Sequence, residues 1–244
     1  MTTLTIFYAL LLYIAAAVFL FGTLWRVWLY ARTPAPFKIP TTPAPITRAG
    51  VAWRLSKETF VFESLFKADK LLWALGWVFH AALLLLLLQH LRFFTQGYSA
   101  WMVWLVVYGV YLSGALVVSL IGLWLRRMLI DRVRYVSALS DHLMLALLAA
   151  IALTGMAMKY LKPVDVYAVN QFARGLMTLD WQPLPVHGML MLHLALVALL
   201  LMIFPFSKLL HGPALYFSPT RYQVDDARER SSRGAAGPSA DRNR

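Results

Sequence analysis

The 244-residue sequence contains no cysteine. This absence excludes disulfides, thiolate metal sites, cysteine-ligated iron–sulfur clusters and the C-x-x-C-H attachment of c-type haem. Any metal or redox centre held by this chain must therefore use other side chains.

Charged residues are also scarce: they make up 14% of the chain, whereas 60% of the residues are hydrophobic. A soluble domain of this size could not bury so much apolar surface. Five unbroken apolar runs, too long to be strands of a barrel, are each long enough to span a bilayer. They cover residues 4–30, 71–91, 100–125, 139–160 and 186–210. The sequence predicts an all-α, multi-pass membrane protein whose first run, without a basic n-region or cleavage site, is a retained helix.

The net charge of +12 could indicate a nucleic-acid partner. The distribution of the basic residues along the chain instead indicates how the chain is oriented in the membrane. Nineteen of the 23 lysines and arginines lie on one side of the membrane, in the connections, the tail and the span ends that face that side. By the positive-inside rule, the N-terminus lies outside, in the periplasm, and the C-terminus lies in the cytoplasm. We therefore expect a protein of the bacterial cytoplasmic (inner) membrane, with the lipid bilayer as its surroundings and no nucleic-acid partner.

Residues 1–224 are predicted to form a single membrane domain. The proline-rich first half of the cytoplasmic loop, residues 31–70, should be extended, and residues 50–66 could form an interfacial helix. The connection 162–185 is long enough to cap the outer end of the bundle. Residues 225–244 are polar and rich in small residues, which predicts a disordered cytoplasmic tail.

The five runs lack aspartate, glutamate, lysine and arginine at membrane depth, which disfavours a transporter or a proton pump. The second and fifth runs carry histidine instead: His80, His90, His193 and His211. A neutral imidazole is tolerated in lipid if its lone pair meets a metal and its N–H finds an acceptor. These four residues are the candidate ligands.

Helix geometry suggests how the four histidines pair. His193 and His211 are 18 residues apart and would share one face of a continuous helix, about 27 Å apart along its axis. His80 and His90 would lie about 15 Å apart and roughly 80° apart around their helix. Because the two runs are antiparallel, His80 pairs with His211 near the cytoplasm and His90 pairs with His193 near the outside. Two stacked bis-histidine b haems explain this set, provided that tilt or a break near Pro205 absorbs the unequal spacing.

Alternative interpretations remain for these histidines. Each could instead be a packing residue in a haem-free membrane anchor that docks a soluble enzyme through its basic loops. An intramembrane zinc hydrolase is remote, because neither His-Glu-x-x-His nor a buried carboxylate is present. His142 follows Asp141 at a helix start, where capping or a polar contact is favoured over ligation. His187 is interpreted as an interfacial residue.

The fifth run also carries a specific family pattern. The frame His193-x17-His211 contains Phe204-Pro-Phe-Ser207 and is followed by Gly212-Pro213 and Thr220-Arg-Tyr-Gln-Val224. Together with Tyr13-Ile-Ala-Ala-Ala-Val-Phe-Leu-Phe-Gly22 and the spacing of His80 and His90, it resembles the γ subunit of respiratory nitrate reductases. The resemblance implies that the four histidines bind two b haems in the pairing above, and that quinol reacts near the outer haem.

Other segments resemble a particular subgroup of this family. The segments 63–70, 79–82, 90–93 and 217–221 look more like the membrane cytochrome b, subunit M, of the dissimilatory sulfite reductase-associated Dsr complex. That likeness implies sulfur metabolism, a cytoplasmic iron–sulfur partner related to heterodisulfide reductase, a periplasmic multihaem cytochrome c, further membrane and iron–sulfur subunits, and exchange of electrons with quinone. His90 and Arg92 are weak candidates for the quinone site, since a quinone needs a hydrogen-bond partner and a proton route. A γ subunit of a nitrate reductase-type complex is the alternative.

Overall fold

The computed structural model describes residues 2–37, 40, 42–97 and 99–226, which form eleven α-helices and no strand. The helices are α1 (Thr3–Arg32), α2 (Arg48–Phe60), α3 (Glu63–Ala68), α4 (Lys70–His90), α5 (Ala100–Leu129), α6 (Asp131–Tyr135), α7 (Leu139–Tyr160), α8 (Val166–Thr178), α9 (Gly188–Ile203), α10 (His211–Tyr216) and α11 (Pro219–Tyr222).

Five of these helices are long and apolar enough to cross a membrane: α1, α4, α5, α7 and α9. They coincide with the five predicted runs, so the prediction of an all-α protein with five candidate membrane spans is confirmed. The side of the membrane that each terminus faces stays a prediction.

The fifth span is shorter than predicted. It continues from α9 through a 3-10 turn, Phe204–Phe206, and the chain is extended at Ser207 before a second 3-10 turn, Lys208–Leu210. Pro205 lacks an N–H and its ring crowds the preceding turn, so a regular helix cannot continue through it. The expected break near Pro205 is therefore present, and the geometry of an unbroken helix does not relate His193 to His211.

Neighbouring spans pack in series. Helix α4 packs on α5, α5 on α7, α7 on α9, and α9 on α1. Close packing of α4 against α9 is absent from the described residues, although α4 carries His80 and His90 and α9 carries His193. Any direct connection between them must therefore be made by long side chains or by a bound group.

One end of the bundle, here called the α8 end, is closed by the connection that was predicted to cap it. The connection contains α8, a helix that the sequence analysis did not predict. The hydroxyl of Tyr13 donates to the carbonyl of Leu176 at 2.6 Å, and Asn170 Nδ2 donates to the carbonyl of Arg92 at 2.8 Å. A buried cluster of Tyr8, Phe172, Leu184 and Leu190 packs beneath the connection.

The other end, here called the basic end, carries α2, α3, α10 and α11. The segment predicted as an interfacial helix forms α2 and α3, which are separated at Phe62, whose φ of 54° is left-handed; its place at the membrane interface stays a prediction. The Glu58 carboxylate accepts from Arg221 Nη1 at 3.0 Å, which ties α2 to the segment after α10. Of the predicted disordered tail, only residues 225 and 226 are described, and the rest lies outside the described residues.

Candidate functional site

The structure brings the four candidate histidines together as two pairs. The ring centres of His80 and His211 are 5.7 Å apart with their planes at 80°. Those of His90 and His193 are 6.5 Å apart with their planes at 9°. Two imidazoles bound to opposite faces of one iron, with metal–nitrogen bonds of about 2 Å, would hold their ring centres roughly 6 Å apart. The spacing of both pairs is therefore close to what an iron between them requires.

Hydrogen bonds fix the same tautomer in three of these imidazoles. The Nδ1 atoms of His80, His90 and His211 lie 2.7, 2.6 and 3.1 Å from the backbone carbonyls of Gly76, Leu86 and Lys208. A carbonyl can only accept, so Nδ1 carries the proton and donates it. The Nε2 lone pair is then left for a metal, which is the arrangement that orients metal-binding histidines.

His193 reaches the same tautomer through a neighbouring helix. Its Nδ1 lies 2.9 Å from the hydroxyl oxygen of Thr154 in α7. The Thr154 hydroxyl is also 2.8 Å from the carbonyl of Ala150 and 2.9 Å from that of Ile151. Its single proton goes to one of those carbonyls, so its oxygen accepts the Nδ1–H of His193. Sequence reasoning missed Thr154, whose only signal was an isolated hydroxyl within an apolar run.

The two remaining histidines use Nδ1 in the opposite way. The indole Nε1–H of Trp124 donates to His142 Nδ1 at 3.1 Å, which matches the expected polar contact. His187 is the N-cap of α9, and its Nδ1 accepts from the backbone N–H of Leu190 at 3.4 Å. Neither residue presents the donating Nδ1 that the four paired histidines share.

An ionic cluster supports His211 at the basic end. The Asp141 carboxylate lies 2.7 Å from Lys208 Nζ and 3.0 Å from Arg127 Nη1, and it accepts from the backbone N–H of Ala138 at 3.1 Å. Because the carbonyl of Lys208 is the acceptor for His211, Asp141 holds the short 3-10 turn that orients this imidazole. The sequence analysis considered Asp141 only as the residue that precedes His142.

The weak quinone candidate Arg92 lies next to the second pair. It sits in the 3-10 turn Leu91–Phe93 directly after His90, with its guanidinium carbon 4.7 Å from the centre of the Phe93 ring. The Phe93 ring lies 5.9 Å from that of His90. Arg92 and His90 are therefore neighbours at the α8 end, and their role in binding quinone stays a prediction.

The donor set fits haem better than a bare metal ion. Within the described residues, no group of three or more histidine, aspartate or glutamate side chains is arranged to hold an ion. A pair of imidazoles is sufficient when a porphyrin supplies the other four nitrogens. The free Nε2 atoms, the ring spacing and the lack of close packing between α4 and α9 all agree with haem between the paired rings.

Comparison with known proteins identifies the family. The family model described as the nitrate reductase gamma subunit matches residues 39–228. The chain belongs to the nitrate reductase gamma subunit family. This confirms the family resemblance that was inferred from the histidine frame and the segment around Pro205.

Two curated relatives of this family member come from archaea. An Hdr-like menaquinol oxidoreductase cytochrome b-like subunit of Archaeoglobus fulgidus is 34% identical over an alignment 270 residues long, gaps included, that covers 92% of this chain and 81% of the relative. The protein of the same name from Archaeoglobus profundus is 31% identical over 272 residues, covering 92% and 80%. The chain is thus similar to these cytochrome b-like subunits over nearly its whole length.

Proposed function

We propose that this chain is a membrane electron-transfer subunit that carries two bis-histidine b haems and moves electrons between quinone and a cytoplasmic iron–sulfur partner. The observation that carries this proposal is the set of two imidazole pairs whose Nδ1 atoms all donate to protein acceptors. This arrangement leaves four Nε2 lone pairs for two metal positions at different levels of the bundle.

The residues around each position prepare it for iron. Bound haem would supply one-electron chemistry, with a potential set by the axial pair and its surroundings. The carbonyls of Gly76, Leu86 and Lys208 and the hydroxyl of Thr154 hold the rings in place and increase the basicity of Nε2.

The two pairs mark a path across the bilayer. His80 and His90 are ten residues apart on the continuous helix α4, which separates them by about 15 Å along its axis. With the basic end in the cytoplasm, His80 and His211 hold the cytoplasmic-side haem, and His90 and His193 hold the periplasmic-side haem. Quinone then exchanges electrons near the second pair, where His90 and Arg92 are the weak candidates for its binding.

The two relatives support quinone as the diffusible partner, because their names describe menaquinol oxidoreductase subunits. The Dsr-like segments found in the sequence favour a sulfur-metabolism complex with a heterodisulfide reductase-related iron–sulfur subunit and a periplasmic multihaem cytochrome c. A γ subunit of a nitrate reductase-type complex is the alternative assignment. Identification of the subunits that co-purify with this chain distinguishes them, since molybdenum-containing nitrate-reducing subunits would contradict the Dsr assignment.

A reduced-minus-oxidised optical spectrum of the purified protein tests the central proposal. Two b-type haems per chain are expected, together with oxidation of the reduced haems by a quinone analogue. His187→Ala is a matched control, because this histidine caps a helix and lies outside both pairs. Purified wild-type protein without b haem would contradict the proposal and favour a haem-free anchor.

A further inference from the structure

Helix α1 contains two buried polar atoms that lack hydrogen-bond partners among the residues described: Thr23 Oγ1 and Arg26 Nε. Arg26 lies six residues before the end of α1 at Arg32, so it is about 9 Å inside the helix terminus. The Nε–H of Arg26 is buried, and a buried polar group without a hydrogen-bond partner is costly, so this group calls for an acceptor.

Among the described residues, none accepts a hydrogen bond from Arg26. Its guanidinium carbon lies 5.8 Å from the centre of the Tyr30 ring, which provides a face for the cation but no carboxylate. Within the described part of the chain, none of the seven ion pairs includes Arg26. Other cations at the basic end are already paired with carboxylates at 2.7–3.0 Å: Arg126, Arg127, Lys208 and Arg221.

The packing of α1 places Arg26 near the level of His211. Gly22, Arg26 and Tyr30 are four residues apart and lie on one helix face. A Cβ at Gly22 would be 2.8 Å from Pro205, and the Tyr30 ring is 6.2 Å from that of Phe217. The face therefore runs along residues 205–217, with Arg26 between the two contacts and His211 in the middle of the opposing segment.

We propose that Arg26, assisted by the Thr23 hydroxyl, binds a propionate carboxylate of the haem held between His80 and His211. This inference rests on the proposed function, because it requires a b haem at that position. Haem b carries two propionates, and a guanidinium forms paired, charge-assisted hydrogen bonds with a carboxylate. The phosphate of a bound lipid offers similar chemistry, so the experiment must separate the two anions.

Redox titration of the two haems, followed optically, tests this assignment. A cation near a haem favours the reduced state, which carries one positive charge fewer than the oxidised state. Arg26→Gln should therefore lower the midpoint potential of the haem that His211→Ala removes, and leave the other unchanged. Thr23→Val should shift the same potential in the same direction by less, and Arg26→Lys should retain most of the wild-type value.

Arg32→Gln is the matched control, since its guanidinium lies on the same helix over the Trp28 ring at 4.7 Å; it should leave both potentials unchanged. If Arg26→Gln prevents assembly, Thr23→Val decides the matter. Unchanged midpoint potentials in Thr23→Val and in any assembled Arg26→Gln protein would overturn the assignment. Loss of bound phospholipid from either variant without a change in midpoint potential would also overturn it. Wild-type protein without b haem would instead overturn the proposed function.

Discussion

Thr154 in α7 accepts the Nδ1–H of His193 in α9 at 2.9 Å. This hydrogen bond between two membrane spans is not repeated at the other three paired histidines, whose Nδ1 atoms use carbonyls of their own segments. The orientation of His193 therefore depends on a second helix, and the hydroxyl that fixes it can be removed without changing the backbone.

Thr154→Val should weaken one haem site selectively. Valine keeps the branched shape of threonine but cannot accept a hydrogen bond, so the His193 ring loses the contact that fixes its tautomer. Removal of such supporting hydrogen bonds typically lowers metal affinity by about 10–100-fold. The haem content of purified protein, titrated with added haemin, measures the effect.

Ser119→Ala is the control for this variant, because the buried Ser119 hydroxyl donates only to the carbonyl of Leu116 in its own helix. It should retain both haems at wild-type affinity. Equal loss in the two variants would mean that Thr154 acts through packing rather than through His193.

Single substitution of the paired histidines should remove the haems in a defined pattern. His80→Ala and His211→Ala should abolish the same spectral component, and His90→Ala and His193→Ala should abolish the other, because each iron loses one of its two axial ligands. Redox-resolved optical spectra measure this. A pattern that grouped His80 with His193 would contradict the pairing.

The two ferric haems should also differ magnetically. The imidazole planes are nearly parallel in the pair of His90 and His193, at 9°, and nearly perpendicular in the pair of His80 and His211, at 80°. The relative orientation of axial rings sets the splitting of the iron d orbitals. Low-temperature EPR of the oxidised protein should show two separate low-spin signals, of which His211→Ala removes one; a single shared signal would be evidence against the observed ring angles.

Asp141→Ala should destabilise the basic end. The Asp141 side chain is only 10% exposed and holds both Lys208 and Arg127, so we expect a loss of about 1–3 kcal/mol from the broken charge-assisted hydrogen bonds. Thermal unfolding in detergent measures this. Asp131→Ala is the matched control, because the pair of Asp131 and Arg134 is exposed and should contribute about 0–1 kcal/mol.

The N-cap of α4 should make stability sensitive to acid. The backbone N–H of Leu72 and the guanidinium of Arg126 lower the pKa of Asp69 below its usual 3.8. A carboxylate with a lowered pKa stabilises the fold above its unfolded pKa, and this contribution disappears as the pH falls through the folded value. Asp69→Asn keeps a cap but loses the ion pair. Its melting temperature should therefore be below that of wild type at pH 7. The two melting temperatures should converge as the pH falls from about 4 through the lowered pKa of Asp69. A constant difference across this range would exclude the ion pair as its cause.

The sequence could predict the spans and the histidine pairs because both depend on local patterns. Apolar length locates the membrane helices. The ten-residue spacing of His80 and His90, on a run antiparallel to the one that leads to His193 and His211, leaves one sensible pairing, whose role in binding haem stays a prediction. Thr154 could not be predicted, because contact between α7 and α9 depends on how two helices rotate against each other, which spacing within either helix does not determine. The role of Asp141 could not be predicted for the same reason, because its partners Arg127 and Lys208 lie 14 and 67 residues away along the chain.

The extent of the break near Pro205 also escaped prediction. Proline explains why α9 ends, but the extended Ser207 and the second 3-10 turn depend on contacts made afterwards, including that of Lys208 with Asp141. Helix α8 was missed because the connection 162–185 was considered only as a cap, without its helical content.

The weak packing of α4 against α9 has a consequence for biogenesis. Under the proposed function, porphyrins between the paired rings would supply contacts between α4 and the segment that carries His193 and His211, contacts that the helices themselves largely lack. Haem insertion would then complete the maturation of the chain, and a cell short of iron would accumulate a loosened form that membrane proteases can recognise and remove.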